Sequence, residues 1–177
     1  MIAPKEKSVV IDRYREGPAL LEDAVQNLTD ADLDAVPLRG GWTVREIVHH
    51  VVDGDDIWKL AIKMAMGNEQ AEFALEWYWK MSQQTWSDRW AYSKRSLGAS
   101  LSLLRAIRTH LLQLLEYVPD AWDRAVVVRK HDGEIEQVPV GFVIQMQADH
   151  VLHHLKRIRE ILQERNAPIP YSTASQP

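Results

Sequence analysis

Five of the seven histidines fall into two tight groups, His49-His50 and His150, His153 and His154. Neutral imidazole is the commonest protein ligand for a divalent metal. The chain has no cysteine, so thiolate metal sites, disulfides and a cysteine nucleophile are excluded, and any metal must rest on His, Asp or Glu. Two imidazoles at i and i+4, such as His150 and His154, can grip one ion from a single helix face. A third from a neighbouring helix leaves open positions for water or substrate, as a catalytic site requires. A metal so held is a Lewis acid that lowers the pKa of bound water towards about 7.

Which histidines share a point depends on where each ring faces, at about 100° of rotation per helical residue. On the helix that carries His50, the apolar residues Val44, Ile47, Val51, Ile57, Trp58, Ala61, Ile62 and Ala65 centre roughly 60 to 70° from it. His50 therefore lies at the border of the apolar stripe, and His49 is expected to point into solvent. On the last helix the stripe of Val140, Ile144, Val151, Leu155, Ile158 and Leu162 lies about 100° from His150 and about 60° from His154, with His153 facing outward. His50, His150 and His154 are therefore the expected metal ligands. A lone helical histidine is also compatible with a surface or satisfied core role, so it is the two groups at core borders that carry the reading.

Two carboxylates stand near His50. Asp53, three residues on, could orient an imidazole or take a proton from water, and Glu46, one turn earlier, could do the same or simply cap its helix. Gln147 and Arg157 could meet a substrate oxygen. Two familiar metal patterns do not fit. His150-Val151-Leu152-His153-His154 lacks the glutamate of H-E-x-x-H. Glu46-Ile47-Val48-His49 finds only Gln147-Ala148-Asp149-His150 as a counterpart to a di-iron bundle motif.

The elements that must position these residues read as four helices. The first is expected to open at Pro18 and run to Leu28, where Thr29-Asp30-Ala31-Asp32-Leu33 makes a cap and short turn. Thr43 with Glu46 forms a capping box that starts the second helix, which continues to about Met66. The segment 69–96, rich in tryptophan, reads as a structured excursion at the pocket mouth. A third helix spans Leu97 to Tyr117. The runs Arg124–Arg129 and Glu134–Val138 flank His131-Asp132-Gly133 as a small hairpin, two strands that form no sheet core. The fourth helix begins near Pro139-Val140 and stops by Asn166. Trp42 is expected to act as a staple at the start of its helix, and His110 and His131 to lie on the surface.

The 177 residues suit one domain spanning 1–177, with a frayed tail from about 171. A net charge of −4 without a basic cluster gives no footprint for nucleic acid. No apolar run is long enough for a membrane span, and no signal peptide opens the chain, which points to the cytoplasm.

The stretches Gly41-Trp42-Thr43-Val44-Arg45-Glu46-Ile47-Val48-His49-His50-Val51-Val52-Asp53 and Asp149-His150-Val151-Leu152-His153-His154-Leu155 resemble the opening and closing motifs of the DinB-like superfamily, most closely its YfiT-like branch of metal-dependent hydrolases. The resemblance implies an all-α, antiparallel four-helix bundle with a metal held by three histidines, which carry over to His50, His150 and His154. It also implies zinc or nickel as the ion, a small-molecule substrate and a homodimer. The superfamily includes transferases that use bacillithiol, mycothiol or a similar low-molecular-weight thiol. Metal-dependent hydrolysis is therefore the leading expectation, thiol S-transfer the first alternative and a non-catalytic metal- or ligand-binding stress protein the second.

Overall fold

The structure, a computed structural model, describes residues 4–68, 70–130 and 132–166. His131 and the tail from 171 lie outside them. In chain order the elements are α1 (Pro4–Val25), α2 (Asp30–Leu33), α3 (Val44–Gly67), β1 (Glu72–Ala74), α4 (Glu76–Trp79), α5 (Gln83–Arg89), a 3-10 turn (Tyr92–Lys94), α6 (Leu97–Tyr117), β2 (Ala125–Arg129), β3 (Ile135–Pro139) and α7 (Val140–Asn166).

Local chemistry sets most of the boundaries. Thr29 and Thr43 each close a capping box, with Asp32 and Glu46 respectively, and so start α2 and α3. The first helix corrects the expectation: it begins at Pro4, and Pro18 lies inside it. An internal proline costs a helix one N–H bond to the carbonyl four residues back. Here that carbonyl, Tyr14 O, accepts a hydrogen bond from Arg108 Nη1 at 3.0 Å instead, so the helix can continue.

The long helices α1, α3, α6 and α7 form the expected four-helix bundle, and cross-bundle contacts give their directions. His49 meets Ser100 and Asp55 meets Arg108, so α3 and α6 run the same way. Glu22 pairs with Arg105 while Tyr14 meets Arg108, so α1 runs against α6. The early part of α3, Val44–Val52, packs with Val151–Ile161, and its later part, Ala61–Met66, packs with Val140–Ala148, so α7 runs against α3. Two helices point each way.

Because α3 and α6 are parallel neighbours, the chain must travel back along about 36 Å of helix between them, taking 24 residues at about 1.5 Å each. The tryptophan-rich excursion is this return. It also corrects the two-strand expectation, since β1 pairs in parallel with β2 and makes a three-stranded sheet of order β1-β2-β3. Phe73, Val126, Val128 and Val138 from these strands are buried in the core with the 61–66 end of α3. Gly133, at φ 87°, turns the β2–β3 hairpin.

The core consists of two apolar clusters, one around Ile62, Leu111 and Ile144 and the other around Val48, Leu104 and Leu155. Between them lies a polar layer in which Arg108 and Asp55, each 1% exposed, form a buried ion pair. His50 and His150 lie beside this layer, lining a cleft with Gly54 and Gln147.

Candidate metal centre

Three imidazoles converge between α3 and α7. His50 Nε2 and His154 Nε2 each lie 3.1 Å from His150 Nε2, and the three form a single cluster of convergent ligand atoms. A neutral imidazole nitrogen carries either one hydrogen or one lone pair. His150 Nε2 can therefore serve only one of its two neighbours, whereas three lone pairs around a cation satisfy all three. Two nitrogens about 2.05 Å from a tetrahedral zinc are about 3.3 Å apart, which matches the spacing. The residues fit a divalent metal.

The rings are held in the protonation state that ligation needs. Burial, with the neighbouring His154 charge, lowers the His50 pKa to about 4. Burial is also the first cause at His150, lowered to about 3 with help from His50, His153 and Arg108, and at His154, lowered to about 3 with help from His150 and His153. All three are neutral near pH 7.

Packing orients them. The Trp42 ring lies 4.6 Å from the His50 ring, so Trp42 rests on a candidate ligand, and its indole N–H donates to Gln84 Oε1 at 3.0 Å. Gly54 lies one turn after His50, and a Cβ there would sit 3.5 Å from His150 Cε1, so α3 offers α7 a smooth surface at the point of approach. Nδ1 of His150 and of His154 are buried without a hydrogen-bond partner among the described residues.

His49 departs from the expected solvent-facing position. Instead of facing solvent it is 0% exposed, with Nδ1 2.9 Å from Ser100 Oγ and Nε2 3.2 Å from the Arg95 carbonyl. The reason is that α3 buries a second, polar stripe against α6 and the end of the crossover. Arg45 lies on the same stripe, binding Asp34, Asp30 and the Arg95 carbonyl. His153 and His110 are exposed as expected.

The two carboxylates have partners of their own. Asp53 accepts from Arg95 Nη1 at 3.2 Å and lies against the Tyr92 hydroxyl, whose pKa burial and this negative charge push well above the tyrosine range. Glu46 accepts from the Thr43 amide at 2.9 Å and from Ser87 Oγ at 3.2 Å. Neither belongs to the convergent cluster.

A cleft of about 410 Å³ opens beside His50 and His150, within the size range of small-molecule sites. Ile57, Trp58 and Met146 give it apolar walls, and Tyr78, Gln83 and Gln147 add polar groups. The crossover supplies Tyr78 and Gln83. Tyr78 stacks on Trp86 at 5.5 Å, donates its hydroxyl to Gln83 Oε1 at 2.8 Å, and offers its carbonyl to the Trp86 indole N–H at 2.8 Å. The tryptophans therefore hold one wall of the cleft. Sequence reading missed the Arg108–Asp55 pair beneath it. The available signal was a charged residue, Arg108, within the apolar repeat of α6.

Residues 13–158 match the DinB superfamily. Among curated proteins the chain is similar to YfiT of Bacillus subtilis, named as a candidate metal-dependent hydrolase, at 27% identity over 90% of this chain and 86% of that protein. It is likewise 27% identical to a protein of the same description from Oceanobacillus iheyensis, over 88% and 86% of the two chains. Among solved structures, YfiT from Bacillus subtilis, described as having an unusual four-helix bundle topology, superposes with a TM-score of 0.79 at 25% identity. That match covers 95% of this chain and 92% of the other.

Proposed function

The chain belongs to the DinB superfamily, and from that premise we propose that it is a hydrolase using one divalent metal, zinc or nickel, held by His50, His150 and His154. The observation that carries this reading is the convergence of three Nε2 atoms on one point at the wall of a small-molecule cleft. Relatives named as candidate metal-dependent hydrolases support it.

Held by the neutral imidazoles of His50, His150 and His154, a divalent ion would supply Lewis acidity, making a water more acidic and polarising a substrate oxygen. The chain's own residues do the rest. The three imidazoles stay unprotonated because they are buried together, Trp42 and Gly54 fix the rings of His50 and His150, and Ile57, Trp58 and Met146 exclude bulk water from an apolar part of the substrate. Asp53 is the carboxylate assigned to accept a proton. Three residues after His50 on α3, it stands one helical turn away with Arg95 bonded to its carboxylate, and Glu46, which caps α3, is the reserve for that role.

Metal analysis of the purified protein, with the His154→Ala variant beside it, tests the site. One equivalent in the wild-type chain and a marked loss in the variant are expected, and undiminished metal in the variant overturns the ligand set. Hydrolysis of a panel of small esters, amides and phosphoesters, with and without a low-molecular-weight thiol, tests the reaction. Turnover that requires the thiol replaces hydrolysis by S-transfer.

A further inference from the structure

We propose that Arg108 is the positioning residue of the three-histidine site: from α6, its guanidinium fixes α1, α3 and α7 at the spacing that makes the imidazoles converge. This rests on the metal reading above.

The guanidinium uses its donors in three directions. Nε donates to Asp55 Oδ1 at 3.1 Å and Nη2 to Asp55 Oδ2 at 2.8 Å, a two-pronged grip on α3. Nη2 also donates to the Gln147 carbonyl of α7 at 2.9 Å, and Nη1 to the Tyr14 carbonyl of α1 at 3.0 Å. Its Cζ lies 4.3 Å from the centre of the Tyr14 ring. Only the rigid fork of arginine, with five N–H groups in one plane, can hold three helices at once; the single ammonium of lysine cannot.

Two adjacent residues of α1 are shaped for this one nitrogen. Pro18 has no N–H to give the Tyr14 carbonyl, which leaves that oxygen for Arg108. At Gly17 a Cβ would overlap Arg108 Nη1. Neither residue touches the metal site, yet both are committed to the arginine.

The anchor points adjoin the ligands. Asp55 directly follows Gly54, the residue against which His150 packs, and Gln147 precedes His150 by three residues on α7. His150 and His154 find no hydrogen-bond partner for Nδ1 among the described residues, so the placement of the helices has to orient the rings. A buried ion pair can often be replaced by apolar residues without loss of stability. What this one supplies is spacing.

The test titrates the full chain and its variants with Co²⁺, followed by the visible absorption of the bound ion. In Gly17→Ala, whose new methyl displaces the guanidinium, and in the charge-balanced double variant R108L/D55L, the Co²⁺ Kd is expected to rise about tenfold or more, the usual effect of losing a group that orients a metal ligand. The absorption band changes with it. R108K, which keeps the charge but not the fork, is expected to fail likewise. L111A, which opens the core at a fully buried leucine, lowers the melting temperature while leaving Kd and spectrum as in the wild type. Wild-type Kd and spectrum in folded G17A and R108L/D55L, or rescue by R108K, would overturn the assignment. A wild-type chain that binds no Co²⁺ overturns the three-histidine reading and this assignment with it.

Discussion

Lowering the pH should strip stability from the metal-free protein well before its carboxylates titrate. Unfolded histidines protonate near pH 6.5, whereas folded His50 holds out until about pH 4 and His150 and His154 until about pH 3. The unfolded state therefore binds more protons throughout this window, and stability falls as pH drops from about 6.5 towards 3. At pH 5 an ordinary imidazole is about 1.5 units below its pKa, which costs folding about 2 kcal/mol per group at about 1.36 kcal/mol per unit. Three such groups give a ceiling of about 6 kcal/mol, and partial solvent screening of the rings brings the expected loss to about 3 to 6 kcal/mol. That is a large share of the stability of a typical domain. Buried His49, also lowered by desolvation, adds in the same direction. The carboxylates held low by partners, such as Asp34 and Glu72, lose their contribution only at lower pH. The assay is urea unfolding followed by circular dichroism at pH 7.5 and 5.0, with chelator present. In H150L/H154L two of the four titrating groups are gone, and the pH-dependent loss should shrink by about half. An undiminished loss in that variant would refute the burial argument.

Three further outcomes follow from the geometry. Gly54→Leu carries bulk beyond the Cβ position into the His150 ring and should abolish stoichiometric metal binding while the far-ultraviolet circular dichroism stays helical; retained binding would show that the two helices do not need this close approach. Arg108→Met alone leaves Asp55 buried without its partner, where burial already pushes its pKa up, and should cost about 3 to 5 kcal/mol in a urea melt, with D55N/R108M recovering part of it. Thr43→Ala removes the capping box of α3 and should cost about 1 kcal/mol in the same melt, with metal stoichiometry unchanged.

Much of this protein is written in local sequence. The boundaries of α3, α6 and α7 follow from a capping box, a leucine repeat and prolines, all acting within a few residues. The clustering of His50, His150 and His154 agrees with helical rotation, because their rings lie at the edge of an apolar stripe. What local sequence could not show is what packs on the other side. His49 faces away from the apolar stripe of α3, yet a parallel α6 and the end of the crossover cover it with Ser100 and the Arg95 carbonyl, 51 and 46 residues further along the chain. Asp53 stands at the right border, and its partner Arg95 comes from the end of the crossover, 42 residues on. Pro18 reads as a helix start because its missing N–H is harmless there, and only a guanidinium arriving from α6 lets it stand inside α1. Strand β1 is three residues long, too short to show alternation and defined by pairing with β2. Periodicity reports what a residue can bury; which distant group meets it is decided when four helices settle around a shared polar layer.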